Sequence, residues 1–153
     1  KTFNLAGLNT AFLVIPDSRV RREFQNMSLP KRATIFGGIA AEAAYTYGDN
    51  WLDALLDYLD DNRRLLAGYL KARTPQIKVV EPEGTYLVWL DCRQLGMDND
   101  GLEKFMLEKA GIWVNQGYSF GSGGDGFIRM NIGCPRPILE KALGRLNAAV
   151  NSL

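Results

Sequence analysis

The chain has 153 residues, 46% of them hydrophobic, enough for one compact domain or for a small domain carrying part of another. Lys and Arg total 18 against 17 Asp and Glu, so no net field favours nucleic acid or an anionic membrane, and small-molecule or protein partners are expected. There is no histidine, which excludes within this chain a serine-hydrolase triad, a Cys-His pair and a zinc site for Cys92 and Cys134, both read as reduced thiols.

Any chemistry therefore falls to Lys, Tyr, Asp or a cofactor. No apolar stretch approaches the ~20 residues needed to span a bilayer, and the first residues lack the layout of a signal peptide, so a cytoplasmic location is expected. The chain opens on Lys1 without an initiator methionine, which reads as a piece of a longer product.

In chain order, residues 8–15 (LNTAFLVI) are apolar, partly β-branched and stopped by Pro16-Asp17, which predicts a buried strand and a turn. Residues 19–25 suit a short polar helix. Pro30 introduces another, with Ile35, Ile39 and Ala43 on one face and Gly48 closing it. Asn50 suits the cap of a long helix over 51–72, with Leu52, Leu55, Leu59, Leu66 and Leu70 at helical spacing. At ~1.5 Å per residue it would span roughly 30 Å, more than one small core needs, so it could connect two domains. Its acidic run Asp57, Asp60 and Asp61 reads as a solvated face, with Arg63 and Arg64 at pairing distance.

Residues 77–80 and 85–91 read as strands around a Glu-Pro-Glu-Gly turn, the second apolar on both faces like a central strand. A helix over 101–110 follows, with Asp100 and Glu103 in capping positions and Gly111 at its end, then a short strand over 112–115. The glycine-rich GYSFGSGGDG leads into FIRMNIG, and Pro137 opens a last helix with Leu139, Leu143 and Leu146 inward. The second half thus reads as an α+β domain.

FIRMNIG holds the best candidate site. Strand alternation puts Ile128, Met130 and Ile132 on one face and Phe127, Arg129 and Asn131 on the other. A guanidinium on a rigid strand suits bidentate recognition of a carboxylate, although spacing alone favours an arginine in a surface ion pair. Tyr118, in the preceding glycine-rich loop, is the tyrosine best placed to join it. Gly121, Gly123 and Gly126 match a dinucleotide fingerprint literally, but a strand follows them where that fingerprint requires a helix.

Four segments, KTFNLAGL (1–8), WLDALLDYLDDNR (51–63), EGTYLVWLD (83–91) and GYSFGSGGDGFIRMNIGCPR (117–136), carry a family resemblance. Through them nearly the whole chain resembles the fold-type I pyridoxal-phosphate enzymes related to aspartate aminotransferase, in the C–S lyase (cystathionine β-lyase) branch. The resemblance implies an α/β enzyme, with residues 1–50 closing the large cofactor domain, 51–73 a connecting helix and 74–153 a small α+β domain. It also implies pyridoxal 5'-phosphate as cofactor, an amino acid as substrate and a homodimer.

By the same resemblance Lys1 stands at the lysine that tethers the cofactor and acts as base. Asn9 stands where many relatives place a phosphate-binding arginine, two residues after Gly7, a departure common among C–S lyases of this branch. Arg129 stands at the arginine that grips the substrate α-carboxylate, with Asn131 beside it. The implied reaction is β-elimination on cystathionine- or cysteine-type amino acids to a thiol, pyruvate and ammonia. An aminotransferase and a non-catalytic carboxylate-binding α+β module are the alternatives. The family's remaining cofactor ligands precede the lysine, so the isolated chain is expected to be inactive.

Overall fold

The computed structural model describes residues 1–27 and 34–153. Pro30, read above as the start of the second helix, lies outside the described residues. The chain divides into two units, Lys1–Ala54 and Leu55–Leu153, each described by itself.

In the first unit a 3-10 turn, Ala6–Leu8, precedes α1 (Ser18–Met27) and α2 (Ile35–Tyr47), and α3 (Asp49–Arg73) begins. The strand predicted over 8–15 is absent: the segment after Leu8 is irregular, because a strand exists only against a partner and no described strand pairs with it. Asp17 starts α1, its Oδ1 accepting the Arg19 and Val20 N–H groups at 2.7 and 3.0 Å. Thr34 caps α2, accepting the Gly37 N–H at 3.0 Å while its hydroxyl donates to the Leu8 carbonyl at 3.1 Å. Gly37 is the only buried residue among those described in this unit, and a Cβ there would collide with Thr10. The Ile35 and Ile39 side of the helix is exposed instead. Phe3 packs edge-on against Tyr45 and stacks on Trp51, with centroids 5.0 and 6.1 Å apart.

The long helix begins at Asp49, one residue ahead of the expected Asn50 cap, so Asn50 lies in its first turn. In the second unit it continues to Arg73 beneath a four-stranded antiparallel sheet of β1 (Lys78–Val80), β2 (Leu87–Asp91), β3 (Asn115–Gln116) and β4 (Phe127–Asn131), ordered β1-β2-β4-β3. The apolar pattern of 85–91 did predict a central strand. The short strand lies later than expected, at 115–116. Two helices complete the unit, α4 (Asn99–Lys104), running on into a π-turn over Phe105–Lys109, and α5 (Arg136–Val150). The α4 cap is Asp98, not Asp100: Asp98 is extended, and its Oδ1 accepts the Gly101 N–H at 2.8 Å.

One face of the sheet is buried. Val88 and Leu90 of β2 and Ile128 and Met130 of β4 meet Leu66 and Leu70 of α3 and Leu139, Leu143 and Leu146 of α5, all at most 4% exposed. Fully burying such a side chain contributes roughly 1.5–3 kcal/mol, so this inner layer holds the sheet and leaves its outer face for other work. Asn62 of α3, itself 0% exposed, donates from Nδ2 to the Ile132 and Cys134 carbonyls at 3.0 and 3.1 Å, fixing the chain as it leaves β4. Asp60 pairs with Arg63 and Arg64, and Asp61 with Arg136, as their spacing along and beside the helix allows. Among the described residues no helix is long and apolar enough to cross a membrane.

Candidate functional site

The outer face of the sheet carries Arg129. Antiparallel register places it between Trp89 on β2 and Asn115 on β3, while Ile128 and Met130 point into the core as alternation requires. Its Nη2 donates to Asn115 Oδ1 at 3.1 Å, and the guanidinium carbon lies 4.2 Å above the Phe120 ring. Phe120 meets Trp89 edge-on at 5.3 Å, and Trp89 meets Phe127 at 6.4 Å. Arg129 Nε is buried without an acceptor. A buried donor left so costs about 1–3 kcal/mol, which an arriving acceptor would relieve. The cleft over this arginine is walled by Val80, Leu87, Trp89 and the 81–85 turn. Thr85 holds that turn in a left-handed conformation, φ 66°, uncommon for a residue bearing a Cβ.

The other residues singled out from the sequence lie elsewhere. Asn131 ends β4 exposed, its Oδ1 accepting the Gly133 N–H at 2.8 Å, and it lines a different groove with Trp113 and Ile138. Tyr118 donates its hydroxyl to Glu103 Oε2 at 2.8 Å, and that hydrogen bond raises its pKa above the ordinary phenol value. It does not line the Arg129 cleft. Lys1 and Asn9 belong to the first unit, both exposed. The Lys1 carbonyl accepts the Asn4 N–H at 3.1 Å, and Asn9 ends the first 3-10 turn with φ 50°. An exposed primary amine and an exposed amide suit a carbonyl- and phosphate-bearing group.

Sequence reasoning missed Asn115, Phe120 and Trp89, which shape the arginine's surroundings. Alternation on one strand shows which way Arg129 points, but only cross-strand register shows what lies beside it.

No protein-family model matches the chain. It is 36% identical over 155 residues to cystathionine beta-lyase PatB of Bacillus subtilis (strain 168), across 99% of this chain and 40% of that relative. The crystal structure of cystalysin from Treponema denticola, which contains a pyridoxal 5'-phosphate cofactor, superposes with a TM-score of 0.87 at 36% identity, over 99% of this chain and 39% of that one. This chain is related to the cystathionine beta-lyases. A C–S lyase from Staphylococcus hominis, solved with the same cofactor and the inhibitor L-cycloserine, matches at 30% identity and a TM-score of 0.84, over 99% of this chain and 40% of that one. The chain thus spans about two fifths of the length of the relatives it matches. Its fold is that of the corresponding part of these α/β enzymes.

Proposed function

We propose that this chain is the C-terminal part of a pyridoxal-phosphate-dependent C–S β-lyase acting on cystathionine- or cysteine-type amino acids. Arg129 carries the reading: an arginine with an unpartnered buried donor, oriented by Asn115 and backed by Phe120, suits a substrate carboxylate. Similarity to C–S lyases along 99% of the chain supports it. Residues 1–50 would close the cofactor domain, 51–73 connect, and 74–153 form the small domain, in a cytoplasmic homodimer.

Lys1 and Asn9 are the residues of this chain that would hold the cofactor, Lys1 through its amine and Asn9 through its amide. When bound, the cofactor supplies an electron sink that acidifies the substrate Cα–H. Lys1 Nζ takes that proton and so acts as base as well as tether. Arg129 fixes the carboxylate and keeps the Cα–H bond aligned, which is orientation rather than proton transfer. Of the three substrate-binding candidates the geometry favours Arg129, since Tyr118 spends its hydroxyl proton on Glu103 and Asn131 lines a different groove.

The test is pyruvate release by the whole enzyme from cystathionine without a keto-acid acceptor, followed with lactate dehydrogenase. Turnover is expected, and Lys1→Ala abolishes it. Amino-group transfer that strictly needs an added keto acid would instead identify an aminotransferase.

A further inference from the structure

Phe120, the ring 4.2 Å beneath the Arg129 guanidinium, stands in a segment ill suited to hold a ring still. Residues 117–126 (GYSFGSGGDG) include five glycines, and glycine loses more conformational freedom on ordering than any other residue. Pairing of β3 with β4 brings the two ends of this loop together. They meet closely: a Cβ added to Gly117 would stand 2.3 Å from the Gly124 carbonyl oxygen. Strand pairing fixes the ends against each other, but the lie of the loop over the sheet depends on what grips it from outside.

Helix α4 supplies that grip at both ends. Asn99 and Glu103 stand four residues apart and so share one face of the helix. At the exit of the loop, Asn99 Nδ2 donates to Asp125 Oδ1 at 2.8 Å, and Asn99 Oδ1 accepts the Gly126 N–H at 3.1 Å. At its entry, Glu103 Oε2 accepts the Tyr118 hydroxyl at 2.8 Å. Tyr118 and Phe120 belong to the same 3-10 turn, Gly117–Phe120, so holding the tyrosine orients the turn from which the phenylalanine leaves. Neither Asn99 nor Glu103 lines the cleft over Arg129.

We infer that Asn99 and Glu103 are positioning residues for the carboxylate site: they hold the glycine-rich loop at its two ends and so keep Phe120 beneath the Arg129 guanidinium. The ligand rests on the lyase reading above, whereas the staple between helix and loop rests on geometry alone. Tyr118 thus serves the site through the loop rather than by touching substrate. A guanidinium lying on a ring has its plane set, and a fork of set plane offers two N–H groups to one carboxylate. Without the ring Arg129 keeps its charge and its bond to Asn115 but loses the surface that levels it. Binding then weakens, while proton removal by Lys1 is untouched, so the effect falls on KM rather than kcat.

The experiment measures pyruvate release from cystathionine by the whole enzyme carrying Asn99→Ala, Tyr118→Phe or Glu103→Gln. Asn99→Ala and Tyr118→Phe should each raise KM about fivefold with kcat within about twofold of wild type. Glu103→Gln, which keeps an oxygen to accept the Tyr118 hydroxyl, should restore a KM within about twofold of wild type. In a Phe120→Leu background the first two substitutions should change KM no further, because the ring through which they act is gone. Unchanged KM in both, or the same rise in the Phe120→Leu background, overturns the inference and leaves the lyase reading intact. A second measurement needs no turnover: Trp89 meets Phe120 edge-on at 5.3 Å, so in enzyme labelled with fluorotryptophan the Trp89 fluorine resonance, assigned through Trp89→Phe, reports where the ring lies. Should wild type release no pyruvate, the lyase reading fails and this resonance decides. A shift in Asn99→Ala and Tyr118→Phe but not in Glu103→Gln supports the staple, and an unmoved resonance in all three overturns it.

Discussion

Replacing Arg129 by lysine keeps the charge and removes the fork. The guanidinium now reaches Asn115 through Nη2 at 3.1 Å, lies 4.2 Å over Phe120 and keeps Nε without an acceptor. An ammonium can offer one point contact but cannot hold Asn115, the ring face and both carboxylate oxygens together. The loss is one charge-assisted hydrogen bond, about 1.5–3 kcal/mol, and a stacking contribution of about 0.5–1 kcal/mol. At 1.4 kcal/mol per tenfold, a total of about 2–4 kcal/mol lowers kcat/KM for an amino-acid substrate roughly 30- to 700-fold. The assay is pyruvate release by the whole enzyme over a range of substrate concentrations, alongside a urea-unfolding curve for each variant. Arg129→Met should abolish saturation yet leave the unfolding midpoint unchanged or higher, because it removes a buried donor that has no partner. A kcat/KM for Arg129→Lys within threefold of wild type, or a large stability loss in Arg129→Met, would refute the reasoning by making the arginine structural.

Asn115→Ala should raise KM about fivefold with little change in kcat, since one hydrogen bond of about 1 kcal/mol orients the guanidinium. Asp98→Ala should lower stability by about 1 kcal/mol through loss of the α4 cap, read as a shifted urea midpoint at constant slope. Burial pushes the Cys92 thiol from 9.0 to about 12, so the folded protein keeps a proton that the unfolded chain releases. Its stabilising contribution is complete below pH 9 and is lost as pH rises from 9 toward 12. A Cys92→Ala variant, which cannot titrate there, should show a flatter stability profile over that window than wild type. At pH 8, native protein should react with iodoacetamide at Cys134 well before Cys92, which is 2% exposed.

Much of the second unit could be read from residue order. The periods of 3.6 along Leu66, Leu70, Leu139, Leu143 and Leu146 and of 2 along Ile128, Met130 and Ile132 are local signals, and every one of these residues is buried. The capping aspartate of α4 was misplaced by two residues because several Asp and Asn stand together there, and only the extended backbone at Asp98 selects among them. The 8–15 segment failed for a different reason. Its apolar β-branched composition records burial against something, and composition cannot distinguish a strand with a partner from an irregular segment without one.

At the site the division is sharper. The sequence by itself determined that a cation leaves the solvent side of β4, because side chains alternate along any strand and the core claims Ile128 and Met130. Four matching segments determined the family to compare it with. Tertiary structure alone decided that Asn115 and Trp89 flank the arginine, that Phe120 lies beneath it, and that Tyr118 and Asn131 are engaged with Glu103 and Gly133. These are contacts between residues 9 to 40 positions apart, as the numbering of Phe120, Asn115 and Trp89 against Arg129 shows. They depend on how strands register across a sheet, which no local period encodes.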